Sequence, residues 1–285
     1  MGANSIFRKA AKKVLYPLVN EKTYKYIQAV SKAWDIKTGS WKEPEIDLVE
    51  MGLKNGETAI DIGANYGLYA YYMSRAVGRE GKVYCFEPIP FTFDCLKIVS
   101  KMLGFSHNVE LVNKGCSNEN SKVTFSIPVQ QSGAVAAGLA YIGKRNDNRS
   151  GKETQVRWSA TTEVEADVVR LDDFLPETKD LTFVKIDIEG AEPFALKGAE
   201  KLFLKHLPTT ICEINPWYLE GFGFRTEDLT SFFLEKGYKI FFYSNEAGKK
   251  LKQVETGDIV EDNYLFLHPR RFDRFKEILP DSVEL

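Results

Sequence analysis

The sequence predicts an α/β fold organised around a mostly parallel, doubly wound β-sheet. Strand patterns and helical patterns alternate between residues 58 and 112, as they do where parallel strands are joined by right-handed crossovers. The apolar run of residues 82–87 is unbroken, which favours a strand buried on both faces of such a sheet. The same rhythm returns at residues 181–187 after a middle region of different pattern.

The composition is that of a globular protein with a sizeable core. The chain has 285 residues, of which 44% are hydrophobic and 13% aromatic. Its 38 basic and 40 acidic side chains give a net charge of about -2, so we expect no nucleic-acid partner. The four cysteines are scattered without a Cys-x-x-Cys pair, and we therefore expect neither a bound metal nor a disulfide framework.

Residues 1–45 are predicted to form an N-terminal helical extension, with a helix over residues 5–33. The chain contains no apolar run long enough to cross a bilayer and shows no signal-peptide pattern, so we expect a cytoplasmic protein. The basic face of the helix carries Arg8, Lys9, Lys12 and Lys13. This face leaves two interpretations open: a helix packed on the domain, or a helix that contacts a membrane surface or covers the substrate. In the second interpretation, four aromatic residues could add an aromatic wall to the surface that this helix presents: Tyr24, Tyr26, Trp34 and Trp41.

The order of the remaining elements follows from periodicity and turn residues. The first strand and its glycine turn occupy residues 58–67, and they are followed by a helix at 68–76, a strand at 82–87, a helix at 90–103 and a strand at 109–112. Residues 123–127 and 164–168 alternate, which predicts two half-exposed antiparallel strands. The polar insert between them, at about 128–162, is predicted to be a long loop, either for substrate recognition or simply mobile.

The second half resumes the doubly wound pattern. The predicted elements are a strand at residues 181–187, a helix at 193–204, a strand at 210–215 and a helix at 226–236. Residues 238–243 and 264–267 are predicted to close the sheet as a pair with an antiparallel edge strand.

The first turn indicates the kind of ligand. Ligands of open parallel sheets bind beyond the carboxyl ends of the strands, where glycines let the backbone approach. The spacing of Gly63 and Gly67 differs from the Gly-x-Gly-x-x-Gly that cradles a pyrophosphate, and Asp61 would repel phosphate. S-adenosylmethionine, which carries an ammonium and a sulfonium, fits this acid better. Glu87, which ends the second strand, could accept hydrogen bonds from the ribose hydroxyls, although a surface acid before a proline turn remains the alternative.

Four motifs resemble those of the FkbM family of S-adenosylmethionine-dependent methyltransferases. They are Asp-Ile-Gly-Ala-Asn-Tyr-Gly at 61–67, Phe-Glu-Pro at 86–88, Val-Lys-Ile-Asp-Ile-Glu-Gly-Ala-Glu at 184–192 and Leu-Lys-Gly-Ala-Glu at 196–200. The resemblance covers about residues 55–270 and implies a Rossmann-like class I methyltransferase domain over 46–285. It implies a seven-stranded sheet with an antiparallel last strand. It also implies methylation of a hydroxyl oxygen on a sugar, lipid or natural product. Substrate identity should lie in residues 1–45 and about 128–162, which no motif covers.

By position, the resemblance also implies the cofactor contacts. The methionine part would be lined by the first loop, which contains Asp61, Gly63, Ala64, Asn65, Tyr66 and Gly67. The ribose would be bound by Glu87. Asn113 and Cys116 fall where such folds contact adenine.

Three acids are the candidate catalytic residues. Asp187 and Glu189 are two apart at a strand end, and Glu213 ends the neighbouring strand, so all three should meet at one edge of the sheet. A hydroxyl acceptor must lose its proton to a base or be oriented by a carboxylate, and Asp187 is our first choice and Glu213 our second. In the alternative interpretation, Glu189 and Glu192 stabilise the following helix N-terminus.

Two other functions stay open on the sequence alone. One is an NAD-dependent oxidoreductase, against which the acid before Gly63 counts. The other is a non-catalytic nucleoside-binding module. The identity of the acceptor and the oligomeric state are not encoded in any motif.

Overall fold

The computed structural model of the protein describes residues 19–130, 140–142, 158–245 and 250–283. The strands are β1 (Thr58–Ile62), β2 (Lys82–Phe86), β3 (Val109–Val112), β4 (Gly115–Cys116), β5 (Ser121–Gln130), β6 (Tyr141–Ile142), β7 (Trp158–Val169), β8 (Leu181–Ile186), β9 (Thr209–Ile214), β10 (Lys239–Ser244), β11 (Lys250–Gln253) and β12 (Asp262–Leu267). The α-helices are α1 (Glu21–Thr38), α2 (Ile46–Gly52), α3 (Leu68–Val77), α4 (Pro90–Leu103), α5 (Leu171–Phe174), α6 (Glu192–Lys197), α7 (Glu200–His206), α8 (Pro216–Gly221) and α9 (Thr226–Leu234). Short 3-10 helices occupy Thr256–Asp258 and Pro269–Arg274.

The main sheet confirms the predicted α/β architecture. Its strand order is β11-β10-β12-β9-β8-β1-β2-β3. The five strands from β9 to β3 are parallel to one another, whereas β12 is antiparallel to both of its neighbours. The sheet has eight described strands instead of the seven implied by the family resemblance, because Lys250–Gln253 pairs with β10 as an extra antiparallel edge strand.

Alternating side chains of the central strands fill two cores, one on each face of the sheet. Ala59 and Phe183 pack with residues of α2, α3 and α4. Ile60 and Val184, one position later on the same strands, pack with residues of α6, α7 and α9. Both faces of β1 are therefore buried, which explains its continuous apolar pattern and holds its end rigidly.

The middle of the chain forms a second sheet, with strand order β4-β7-β5-β6. β5 and β7 pair antiparallel from Ser121 opposite Val168 to Gln130 opposite Trp158, as the alternating patterns predict. The predicted insert therefore begins and ends inside these two long strands. Residues 131–139 and 143–157 of the insert lie outside the described residues, so the long-loop prediction for them stays a prediction.

Helix α1 packs on the main domain. It begins at Asn20, whose side chain accepts a hydrogen bond from the Thr23 N–H, and ends at Thr38, five residues beyond the predicted limit. Residues 5–18 of the predicted helix lie outside the described residues. Lys25 Nζ donates to Asp94 Oδ2 of α4 at 3.0 Å, which agrees with the packed-helix interpretation. Among the helices that the structure describes, none combines the length and the apolar character needed to traverse a bilayer.

Candidate functional site

A cleft of about 920 Å³, open to solvent, lies at the carboxyl ends of β1, β2, β8 and β9. It is lined by Trp41, Glu43, Asp61, Gly63, Ala64, Asn65, Leu68, Tyr69, Glu87, Pro88, Ile89, Phe125, Ala140, Lys185, Asp187, Ile188, Glu189 and Glu213. Eight of the twelve predicted site residues are in this set.

The end of β1 approaches the end of β8 very closely at Gly63. Gly63 has a φ of +86°, and a Cβ there would lie 1.9 Å from the backbone oxygen of Asp187. The N–H groups of Gly63 and Ala64 both donate to the Phe86 carbonyl oxygen at 3.0 Å. Glycine is required here because neither the dihedral angle nor the space admits a side chain.

Asp61 and Asn65 place two buried acceptor atoms beside the cleft. Asp61 is 1% exposed, and neither its Oδ2 nor the Asn65 Oδ1 has a hydrogen-bond partner among the described residues. The pKa of Asp61 is raised to about 7, chiefly by burial, with the charge of Lys185 lowering it and that of Asp187 adding to the rise. Two desolvated acceptors without donors carry a free-energy cost that a ligand with N–H donors would remove.

Glu87 is buried at the end of β2 and holds two backbone turns together. Its Oε2 accepts a hydrogen bond from the Asn65 N–H at 3.0 Å, and its Oε1 accepts one from the Ile89 N–H at 2.9 Å. Burial raises its pKa to about 7, against the effect of these two hydrogen bonds. Each carboxylate oxygen retains a second lone pair, so Glu87 can still accept hydrogen bonds from ligand hydroxyls.

A lysine and two carboxyl groups meet at the ends of β8 and β9. The Lys185 Nζ donates to Asp187 Oδ2 at 3.2 Å, and Asp187 and Glu213 are joined by a hydrogen bond. Burial, together with the charge of Asp187, raises the pKa of Glu213 to about 10. Burial also opposes ionisation of Asp187, but Lys185 and the Glu213 hydrogen bond outweigh it and lower the Asp187 pKa. At neutral pH Asp187 is therefore the anion and Glu213 the donor.

The turn after β8 explains the motif that begins at Asp187. Glu189 has a φ of 58° and lines the cleft. Gly190 follows with a φ of +97°, and a Cβ there would lie 2.6 Å from the Tyr218 backbone oxygen. Glu192 is 1% exposed, and its Oε1 accepts hydrogen bonds from the N–H groups of Ile188 and Gly190 at 3.1 Å each. Glu192 thus stabilises the turn before α6 through two backbone N–H groups, and its effect on the helix dipole stays a prediction.

Four predicted cofactor residues lie outside the cleft lining. Tyr66 packs against the core, with Lys32 Nζ 5.0 Å from its ring centre, and Gly67 caps the N-terminus of α3. The Asn113 Nδ2 donates to the backbone oxygens of Glu87 and Pro88 at 2.9 and 3.1 Å. Cys116 is 3% exposed within the second core. Of these four residues, Asn113 comes closest to the predicted role in cofactor binding, since it supports the loop that carries Glu87.

The sequence interpretation missed three polar residues that line the cleft: Glu43, Tyr69 and Lys185. The Tyr69 Oη donates to Glu43 Oε2 at 2.8 Å, which ties the segment before α2 to α3. Lys185 carries the clearest sequence signal, because it interrupts the apolar run of β8. Of the four aromatic residues of the predicted wall, Trp41 lines the cleft, whereas Tyr26 and Trp34 are exposed at 57% and 64%.

A family profile and two curated methyltransferases are similar to this chain. The profile of the Methyltransferase FkbM domain matches residues 61–240. Methyltransferase 1 of Beauveria bassiana (strain ARSEF 2860) is 30% identical over 150 residues, which are 50% of this chain and 57% of that protein. Methyltransferase sdnD of Sordaria araneosa is 24% identical over 199 residues, which are 64% of this chain and 73% of that protein.

Solved structures of methyltransferases are also similar to this chain. The crystal structure of the FkbM methyltransferase from Methylobacillus flagellatus KT is 17% identical, with a TM-score of 0.45, and the match covers 74% of this chain and 43% of that one. The chain thus spans less than two thirds of the length of the Beauveria and Methylobacillus proteins.

Proposed function

Because this chain belongs to the FkbM methyltransferase family, we propose that it uses S-adenosylmethionine to methylate a hydroxyl oxygen of a small-molecule, glycan or lipid acceptor. The observation that carries this proposal is a single cleft with two kinds of polar group. Its lining contains acceptor atoms of Asp61 and Asn65 that have no partner among the described residues, and it also contains the Asp187–Glu213 pair.

The residues of the first loop fit this cofactor. Its ammonium offers the N–H donors that Asp61 Oδ2 and Asn65 Oδ1 lack. The raised pKa of Asp61 falls again once a cation lies beside it, so the bound state is a charge-assisted hydrogen bond. The remaining lone pairs of Glu87 would accept the ribose hydroxyls. When bound, the cofactor supplies an electrophilic methyl group on a positively charged sulfur.

Asp187 is our candidate for the carboxylate that receives the acceptor hydroxyl. Its side chain is 38% exposed and lines the cleft, whereas that of Lys185 behind it is 1% exposed. The hydroxyl would donate to Asp187, which aims the oxygen lone pair at the methyl carbon. Asp187 would also accept the proton that the hydroxyl must lose when its oxygen is methylated, and would hold that proton as a carboxylic acid.

The charge of the cleft supports an uncharged or cationic acceptor. Six acids line it, namely Glu43, Asp61, Glu87, Asp187, Glu189 and Glu213, against one lysine. Glu213 keeps its proton, and the pKa values of Asp61 and Glu87 are about 7. The acids that remain still outnumber the lysine, so a phosphate or carboxylate on the acceptor would be repelled. Trp41, Phe125 and Ile188 provide apolar surface beside them, as expected of a site for a sugar ring or an apolar natural product.

Two measurements test the proposal. Isothermal titration with S-adenosylmethionine should show binding that Asp61→Asn weakens at least about tenfold, the value of one lost charge-assisted hydrogen bond. Asp187→Asn should bind as the wild type does, yet transfer labelled methyl groups to acceptors in a cell extract about 10²-fold more slowly. Asp173→Asn, which changes an exposed carboxylate outside the cleft, is the matched control.

The outcomes separate the candidate functions. Cofactor binding without transfer to any acceptor would identify a nucleoside-binding module instead of an enzyme. Binding of NAD with no response to S-adenosylmethionine would refute the cofactor assignment. Transfer by Asp187→Asn at the wild-type rate would remove Asp187 from the mechanism and leave Glu213 as the candidate.

A further inference from the structure

Lys185 is held inside the protein in a way that distinguishes it from a surface lysine. Its side chain is 1% exposed. Nζ donates to Asp187 Oδ2 at 3.2 Å and to Asn263 Oδ1 at 2.9 Å, and it lies 5.1 Å from the ring centre of Tyr69. An ammonium with these partners is fixed in the wall of the cleft and cannot follow a ligand as a flexible surface lysine does.

The sheet register brings the neighbouring polar groups to one face. Lys185 lies opposite Asp61 on β1 and opposite Ile211 on β9. Asp187 and Glu213 are two residues further along their strands, and side chains two apart in a strand point to the same face. Glu213 lies in turn opposite Asn263 on the antiparallel β12. Four adjacent strands therefore each contribute a polar group to one face of the sheet.

Every element packed around Lys185 contributes to its electrostatic environment. The charged and titratable neighbours are Asp61 from β1, Asp187 after β8, Cys212 and Glu213 from β9, Tyr69 from α3, and Glu43 and Glu45 from the segment before α2. Within the described residues that line the cleft, Lys185 is the only cation. One positive charge thus lies within electrostatic reach of several acidic groups.

We propose that Lys185 is a positioning residue: its ammonium is the counter-ion that keeps Asp187 ionised toward the acceptor, while the hydrogen-bonded neighbour Glu213 retains its proton. The inference rests on the proposed function, which gives Asp187 an acceptor hydroxyl to orient.

The electrostatics agree with the geometry. Burial opposes the charge on Lys185, but the carboxylates of Asp187, Glu213 and Glu43 outweigh it and raise the pKa of the ammonium. Two carboxyls that share a hydrogen bond cannot both ionise easily. The lysine decides which of the two does so, since it contacts Asp187 directly. Without Lys185, the two carboxyl groups would share one proton more evenly. Asp187 would then be ionised less often and would be a poorer acceptor for the substrate hydroxyl.

Carboxyl ¹³C NMR of protein labelled in its Asp and Glu side chains tests this directly, with Asp187→Asn and Glu213→Gln to assign the signals. In the wild type, Asp187 should stay ionised across the neutral range. In Lys185→Met, its titration midpoint should rise by about 1 to 3 pH units, the usual effect of one close opposite charge. Lys185→Arg keeps the charge and should titrate like the wild type. An unchanged Asp187 titration in Lys185→Met overturns the proposal.

A variant without the other partner of Asp187, Glu213→Ala, decides the matter if Lys185→Met does not fold. Ionisation of Asp187 in that variant below the ordinary aspartate value of 3.8 supports the proposal, and a midpoint at or above that value overturns it.

The pH dependence of methyl transfer gives an independent measurement. In Lys185→Met the acid limb of the kcat profile should move up with the Asp187 midpoint, whereas Lys97→Met, at an exposed lysine, should leave it unchanged. A purely structural role for Lys185 would lower kcat without moving the limb, and that result counts against the proposal. If the protein transfers no methyl group to any acceptor, the proposed function fails, while the NMR titration still decides the role of Lys185.

Discussion

Replacing Gly63 with alanine tests how closely the ends of β1 and β8 approach each other. The added Cβ would lie 1.9 Å from the Asp187 backbone oxygen, at a φ of +86°. The dihedral angle alone costs a side chain about 1–2 kcal/mol. Gly56 is the matched control, because its φ is also +86° but nothing lies within 4 Å of its Cβ position. Any effect of alanine on the unfolded chain is common to both positions and cancels in the comparison.

We expect Gly56→Ala to lower the free energy of unfolding by about 1–2 kcal/mol and Gly63→Ala by about 3–4 kcal/mol. The difference of about 2 kcal/mol corresponds to about 4–8 °C in Tm for a domain of this size. Urea titration and calorimetry of the two variants measure it. Because relief of the contact must move the Asp187 backbone, only Gly63→Ala should also slow methyl transfer. Equal losses of stability in the two variants would refute the close approach of the strands.

Two further predictions concern pH. Glu57 accepts hydrogen bonds from Arg274. Burial opposes its ionisation, but Arg274 and the other donors outweigh burial and lower the pKa of Glu57 below 4.5. The contribution of ionised Glu57 to stability is therefore complete above pH 4.5, and it is lost as the pH falls through the pKa that Glu57 has in the folded state. Glu57→Gln should therefore lower the free energy of unfolding by about 2 kcal/mol at neutral pH and lose less stability than the wild type on acidification, as thermal unfolding will show. Burial raises the pKa values of Asp61, Glu87 and Glu192 to about 7, so the folded state binds protons that the unfolded state has released, and stability falls as the pH rises from about 4.5 to 7. The ligand-free protein should accordingly melt at a higher temperature at about pH 5.5 than at about pH 7.5, and Asp61→Asn should reduce that difference.

The order of the main elements was predictable because it depends on local patterns. Apolar runs of five or six residues, separated by helical periodicity, identify β1, β2 and β8, and parallel strands necessarily bring their carboxyl ends to one edge. That rule alone places Asp61, Glu87 and Asp187 around one cleft. The extra edge strand β11 was not predicted, because Lys250–Gln253 is short and largely exposed, and such segments lack a burial pattern.

The residues that were missed depend on contacts between distant parts of the chain. Lys185 is visible in the sequence as a charge within an apolar strand, but its partner Asn263 lies 78 residues away on an antiparallel strand. Glu43 reaches the cleft because its segment docks against Tyr69, and no motif encodes that docking. Asn113 lies after the expected strand, yet its amide contacts the carbonyl groups of the neighbouring loop. Side-chain direction in a loop follows from hydrogen bonds that the sequence does not specify locally.

The buried carboxyl group of Asp61 has a consequence for how the protein would be loaded with ligand. With a pKa of about 7, it carries a proton in part of the molecules near neutral pH. Binding of a cation beside Asp61 releases that proton. Binding is therefore coupled to deprotonation, and the apparent affinity for the cation rises with pH. The heat of binding will then contain the heat of protonating the buffer. A cell that acidifies would lower the occupancy of the site without any change in cofactor concentration.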